Sequence, residues 1–458
     1  MNSVINSQIL YEPTKLSLGG RKEQMVFFNS NGTVNGGSSC QIRIPNLRNT
    51  YLDCNSSFLR FSVDCTIAGT VLPTFNTATP PVVINQANLR LSSSSAASFI
   101  QSIEILNDNV SIYKCDNANK IASIVQVCNT GLSAYNSKSV LDGSAMTVSG
   151  NLDGLKVVES YGNPATASTA TLCVLPTQTF CINNGIFGLL GENILPINQI
   201  RNGLMLRVEF VDDVRIPYKA NQNSATITNT GSTMKFSEIS YVVDGVVLDD
   251  SAQEAVSNEN GFGERPIMYS GIIRRCSVLQ SLKTNFNSTQ TLSRLIPNNR
   301  YVSLNNILMG SFVLNGHSDG NTPVFPYNSI LYKYQGQQIP NQKVDSLSQI
   351  LQNSISCFSN VSPSVSSTVM DSTHSIINYR PPAVTVAETS TPRLVSGVDF
   401  TTWNDDNVIS GVDTSSGDTV CELGITAAAS GFDFSDCFVS TFSCIWVIND
   451  GVVSCSFN

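Results

Sequence analysis

The sequence predicts an all-β chain built as two similar halves. Three observations predict it. Charged residues make up only 13% of the 458 residues, against roughly 25% in an ordinary globular protein. Short apolar runs of period two alternate with Asn, Gly, Ser and Pro turns almost throughout. A hairpin followed by a short helix occurs near the start and again about half the chain later. The length also suits two domains of roughly 200 residues better than one.

Neutral polar residues (Ser, Thr, Asn, Gly) replace the missing charges. Long solvated helices need runs of Glu, Lys and Arg, and none is present. Strands follow from the alternation of apolar and polar side chains. Residues 40–44 (Cys-Gln-Ile-Arg-Ile), 58–65 (Phe-Leu-Arg-Phe-Ser-Val-Asp-Cys), 204–210 (Leu-Met-Leu-Arg-Val-Glu-Phe) and 439–448 all show it. Each presents one face to a core and the other to solvent or a neighbouring subunit. Residues 280–325 carry no clear strand pattern.

Three short helices interrupt the strands. Ser346 and Gln349 have capping-box spacing, with Leu347, Ile350 and Leu351 on one face. Asp116 is placed to cap a turn carrying Ile121, Ile124 and Val125. Asp250 is placed to cap a helix through Val256, ended by the Asn-Glu-Asn-Gly run at 258–261.

The repeat lies at residues 102–113 and 329–340. Ser102-Ile103-Glu104-Ile105-Leu106 and Ser329-Ile330-Leu331-Tyr332-Lys333-Tyr334 each lead through a polar turn into a second strand and then a helix. The boundary between the halves falls in residues 249–265, polar and charged, with Gly261, Gly263 and Pro266. The expected organisation is an arm at 1–22, a first unit at 23–250, a linker at 251–265 and a second unit at 266–458. Residues 129–170 and 358–391 read as long surface loops rich in small polar residues.

Charge narrows the functions. A net charge of −8 and a pI near 4.9 make the chain a poor electrostatic match for nucleic acid, and neither end carries a basic arm. No apolar stretch of about 18 residues predicts a membrane span. Residues 1–20 lack the pattern of a signal peptide. The expectation is a soluble protein kept inside the cell until assembly.

Chemistry is sparse. His317 and His374 are the two histidines, which limits acid–base catalysis at neutral pH. Gly316-His317-Ser318-Asp319-Gly320 matches the nucleophile-elbow spacing, but Pro323 and Pro326 forbid the helix that must follow. Gly261-Phe262-Gly263 lacks a third glycine, and no Gly-Lys pair exists for a phosphate loop. The acidic pairs Asp212-Asp213, Asp249-Asp250 and Asp405-Asp406 lack the spaced oxygen ligands of a calcium loop. The 13 cysteines contain no C-x-x-C pair, so they read as small buried hydrophobes rather than zinc ligands. Sequons at Asn31, Asn55, Asn109, Asn287 and Asn360 are expected by chance in an Asn- and Ser-rich chain. The expectation is no enzyme, and no catalytic, cofactor or metal site.

Four stretches carry a resemblance: residues 45–64, with Asp53-Cys54-Asn55-Ser56-Ser57 between strands; the hairpin and helix at 98–125; residues 184–211, with Gly185-Ile186-Phe187-Gly188 and Leu195-Pro196; and the closing strands at 407–448. Together they resemble the double jelly-roll major capsid proteins of double-stranded DNA viruses, above all the polinton, adintovirus and virophage group. The resemblance is a pattern spread over most of the chain. It implies two tandem eight-stranded jelly-roll β-sandwiches with a few short helices in the connections. It also implies a homotrimer with a pseudo-hexagonal footprint that tiles an icosahedral shell. Its partners would be neighbouring capsomers, penton and minor capsid proteins, and its location the virion. No sequence-specific nucleic-acid contact is implied. Two other readings predict different features. A viral or cell-surface β-sandwich adhesin needs an exposed aromatic cluster, although Trp403 and Trp446 lie far apart in sequence. A carbohydrate-active enzyme needs two carboxylates facing one cleft.

Overall fold

A computed structural model describes residues 19–70, 72, 74–76, 83–85, 89–92, 95–129, 139–146, 152–154, 168–182, 186–192, 194–220, 226–260, 265–281, 290–297, 303–314, 325, 327–358, 395–401, 411–415, 417–425 and 433–456. Most of both long loops lies outside these residues, as do His317, His374, the 316–320 turn, Gly261-Phe262-Gly263, Trp403 and Asp405-Asp406.

The first half contains β1 (Gly20–Phe28), β2 (Ser39–Ile44), β3 (Thr50–Thr70), β4 (Ile100–Asn107), β5 (Val110–Asp116) and α1 (Ala118–Asn129). It continues with β6 (Leu172–Val174), β7 (Gln178–Ile182), β8 (Ile194–Leu195), β9 (Leu204–Phe210) and β10 (Thr226–Leu248). In one sheet β1 pairs with β10 and β10 with β3. The short strands β6, β7 and β8 pair in succession along β3. The facing sheet has the order β2-β9-β4-β5. Every pairing is antiparallel, and the chain passes repeatedly from one sheet to the other, which is the jelly-roll course.

Helix α2 (Asp250–Asn260) follows. The second half then repeats the plan: β11 (Ile267–Ser281), β12 (Gln290–Ile296), β13 (Leu304–Leu314), β14 (Ser329–Tyr334), β15 (Gln337–Val344), α3 (Leu347–Phe358), β16 (Ser396–Asp399), β17 (Thr419–Ile425), β18 (Asp433–Asn449) and β19 (Val452–Ser456). One sheet runs β11-β18-β13-β16, with β19 added to β18, and the other runs β12-β17-β14-β15. The main strands correspond in order, down to the helix after β5 and β15. Among the described residues the halves differ in two places: β16 is the one strand on the outer side of β13 where three short strands fill that position in the first half, and β19 is an addition. Strands β12 and β13 lie in the region that showed no clear pattern.

Alternation accounts for the strand faces. In β9, Leu204, Leu206, Val208 and Phe210 are buried while Arg207 is exposed. In β3, Leu59, Phe61, Val63, Cys65 and Ile67 point inward. Around them the rings of Phe61, Phe99, Phe180, Phe210, Phe236 and Tyr218 interlock. Phe210 stacks on Phe236 at 3.9 Å, and the other contacts are tilted or edge-on. Such pairs add about 0.5–1.5 kcal/mol each beyond area burial. The second half has its own core of Ile296, Ile307, Met309, Phe325, Tyr332, Phe438 and Phe442, among others.

The predicted hairpins close in tight turns whose two central residues both have positive φ, Asp108-Asn109 and Gln335-Gly336. That geometry matches strand twist. Ser346 caps α3: its hydroxyl accepts the Gln349 N–H at 3.3 Å and bonds the Gln349 side chain at 3.1 Å. Two capping expectations are corrected. Asp116 stays in the ladder opposite Ser102 and pairs with Lys114 at 3.0 Å. Asn117, at φ 54°, makes the turn into α1, and its carbonyl accepts the Ile121 N–H at 3.0 Å. Asp250 lies inside α2 rather than before it. Its carboxylate accepts from Arg48 at 3.0 Å and Asn49 at 2.5 Å, and the helix continues past Val256 to Asn260. Regular structure thus enters both stretches read as connecting segments, since β1 begins at Gly20.

Candidate assembly unit: the seam between the rolls

The two rolls share a continuous apolar seam. Residues of the second roll, among them Ile273, Leu308, Phe312, Cys437, Val439, Cys444, Trp446, Ile448 and Val453, join the buried cluster of the first. Strand β18 shows why: residues 435–442 are buried on both faces, one toward its own roll and one toward the other.

Three sets of contacts fix the seam. Trp446 is fully buried and meets Tyr113 of β5 edge-on at 6.1 Å. Tyr113 in turn donates to the Ile186 carbonyl at 2.9 Å. Gly271 on β11 makes room, because any Cβ there would collide with the Trp446 indole nitrogen. Arg275 of β11 donates to the Lys114 carbonyl at 2.6 Å.

The second set joins three tight turns at one end. Asn107 is buried at the tip of β4. Its amide donates to the carbonyls of Arg201 at 3.1 Å and Gly203 at 2.9 Å, and its oxygen accepts from Val453 N–H at 3.1 Å. Arg201 N–H donates to Gly451 carbonyl at 2.8 Å. Asn202 donates to Asp108 at 2.6 Å.

The third set is Lys120 of α1, which reaches into the second roll. Its ammonium lies 3.4 Å from Ser435 Oγ and 5.7 Å from the centre of the Phe312 ring. Burial pushes its pKa below the usual lysine value.

The residues weighed for chemistry do not converge. Asp213 is held by Arg215 in a two-pronged pair, at 2.9 Å and 2.6 Å. Asp436 is fully buried and accepts from Ser311 at 2.7 Å and from Tyr327 at 2.7 Å on each oxygen. Arg294 Nε lies 3.6 Å away. That is a carboxylate tied to a cation and two hydroxyls, not the pair of carboxylates across a cleft that glycoside hydrolysis needs. Glu422 is paired with Lys333 at 2.6 Å. Among the described residues no group of three or more His, Cys, Asp or Glu is placed to hold a metal. No helix among them is long and apolar enough to cross a membrane.

Most described cysteines are buried, as expected of small hydrophobes. Burial pushes the thiols of Cys40, Cys54 and Cys173 up to about 12 and Cys115 up to about 11, so they are protonated and unreactive at neutral pH. Cys276 and Cys437 are the correction: they form a disulfide between the neighbouring strands β11 and β18.

Large apolar side chains left in solvent lie on several separate elements. They include Phe28 (68% exposed) and Val26 on the edge strand β1, Val140, Ile194, Met268 and Leu295. The aromatic cluster an adhesin needs is absent from the described surface around Trp446, which is 0% exposed.

Two sandwiches of this strand order, fused along an apolar seam, define a tandem double jelly roll. No protein-family model matches the sequence, and no curated protein matches it. Solved structures match over nearly the whole chain. The Sputnik virophage structure determined by cryo-electron microscopy has a TM-score of 0.61 at 12% identity, covering 97% of this chain and 89% of that one. The Faustovirus major capsid protein has 0.56 at 9% identity, with 95% and 92% covered. The mavirus major capsid protein has 0.55 at 12% identity, with 97% and 90% covered. At such identities the likeness establishes the fold.

Proposed function

We propose that this chain is a major capsid protein, a shell-building protein of the virion without catalytic, cofactor or metal sites. The observation that carries the reading is the duplicated jelly roll, matched from end to end by capsid proteins of DNA viruses. We take the first roll to reach back to β1 at Gly20, so that the rolls comprise residues 20–250 and 266–458 with the segment 251–265 between them.

In this reading three chains form a trimer whose six rolls make a pseudo-hexagonal block. The seam makes each pair of rolls one rigid unit, so a trimer presents six fixed corners. Neutral polar faces with scattered exposed apolar side chains make each outer contact weak, and avidity over many contacts closes the shell with room for error correction. Neighbouring capsomers, penton proteins and minor capsid proteins are the partners. A net charge of −8 disfavours direct binding of the genome.

Light scattering of the purified chain under assembly conditions tests the oligomer. The expected mass is three times 49.3 kDa, and electron microscopy is expected to show hexagonal capsomers or shells. Stable monomers under every assembly condition would overturn the reading.

A further inference from the structure

We propose that the Cys276–Cys437 bond is a redox clamp, open in a reducing environment and closed in an oxidising one, that locks the second roll's face of the seam. The proposal rests on the capsid reading only for the sequence of environments, a reducing cell interior followed by an oxidising exterior.

Position gives the bond its effect. Strand β11 is the first of the second roll and β18 its last long one, and they lie side by side. The two sulfurs are 161 positions apart in sequence, so the bond closes most of the roll into one covalent loop. Closing a long loop removes much freedom from the opened chain. The same two strands carry the seam. Arg275, next to Cys276, donates to Lys114 of the first roll, and Ser435, two residues before Cys437, contacts Lys120. Fraying of β11 from β18 therefore releases the Arg275 contact and uncovers the edge of β18 beside Ser435, and the bond opposes it. The corresponding edge of the first roll has no cysteine in β1. There an ion pair, Lys22–Asp244 at 2.8 Å, joins β1 to β10.

Burial sets the order of the chemistry. Cys276 is half-buried and Cys437 fully buried. With a small disulfide of the glutathione class as oxidant, the Cys276 thiolate attacks one of its sulfurs and expels one glutathione thiolate. The Cys437 thiolate then attacks the Cys276 sulfur of the mixed disulfide and expels the second. The protein loses two protons and two electrons, and the oxidant takes up the electrons and becomes two thiols.

The test uses the purified full chain, reduced with dithiothreitol and then exposed to oxidised glutathione. Blocking with maleimide before and after is read by peptide mass spectrometry. The expected result is a linked peptide containing Cys276 and Cys437, with mixed disulfide appearing first on Cys276. Hydrogen exchange is read on both forms, and the amides of β11 and β5 are expected to exchange about tenfold more slowly in the oxidised one. The double variant C276S/C437S is expected to exchange at the reduced rate under both conditions. The proposal is overturned by thiols that stay open to maleimide after oxidation, by a linked peptide already present in protein blocked directly inside reducing cells, or by equal exchange in both forms. No readout depends on shell assembly, so failure here leaves the capsid reading intact, and failure to trimerise leaves the clamp intact.

Discussion

The side-chain oxygen of Asn107 accepts the backbone N–H of Val453 at 3.1 Å, across 346 positions of sequence. With its amide on the Arg201 and Gly203 carbonyls, one buried side chain satisfies three backbone groups at the junction of the two rolls. A backbone group buried without a partner costs about 1–3 kcal/mol, so such a hub holds the turns in place by what its loss would expose.

Asn107→Ala is therefore expected to lower the unfolding free energy by about 3 kcal/mol, with water repairing part of the loss. Urea unfolding measures it. A loss below about 0.5 kcal/mol would show that solvent already serves these groups.

At the other seam contact the fit is steric. Gly271→Ala is expected to destabilise by about 1–3 kcal/mol, because the new methyl meets the Trp446 indole. Trp446→Ala is expected to cost about 3–5 kcal/mol through the cavity it leaves. Combined, the two changes should cost less than their sum, since the missing indole removes the collision. Strict additivity would contradict the contact.

Lys120 sets desolvation against attraction to the Phe312 ring. Burial alone accounts for its lowered pKa, and no carboxylate contributes. Lys120→Met is expected to leave stability within about 1 kcal/mol, since an apolar chain of similar size fills the space without burying a charge. Lys120→Glu, which places a carboxylate against the Phe312 ring in the same buried site, is expected to cost over about 3 kcal/mol. Thermal midpoints of the three proteins rank them.

The β1 edge has a pH signature. Lys22 holds the Asp244 carboxyl below its usual 3.8, and Asp244 raises Lys22 above 10.5. A depressed carboxylate contributes stability that is present above 3.8 and lost as pH falls through its lower folded value. A raised lysine contributes stability present below 10.5 and lost as pH rises through its higher folded value. Denaturation of wild type and Asp244→Asn between pH 2 and 6 is expected to show a difference that vanishes at the acid end. A gap that persists at pH 2 would assign the effect to something other than this pair.

Much of each roll was legible because burial on one face writes period two into a strand, as in Leu204–Phe210. The capping box at Ser346 and the polar hairpin turns were equally local signals. The seam was not legible. In β18 residues 435–442 are covered on both sides, so the alternation that identifies an inward face says nothing about a second neighbour. Asn107 carries no local signal of its role, because its partners at Arg201, Gly203 and Val453 are set by tertiary structure. Cys276 and Cys437 carried no spacing signal, since cross-strand neighbours need no fixed separation in sequence. Asp116 misled for a related reason: strand pairing with Ser102 holds it in the ladder, and Asn117 tolerates the positive φ that the turn requires.

Among the described residues three short strands, β6, β7 and β8, stand in the first roll where β16 stands alone in the second. In the proposed trimer the six corners would therefore alternate between two shapes. Such a block returns to itself only after a rotation of 120°, so a capsomer seated 60° out of phase offers each neighbour the wrong corner. The inequality of the halves would give every tile in the lattice a compass bearing.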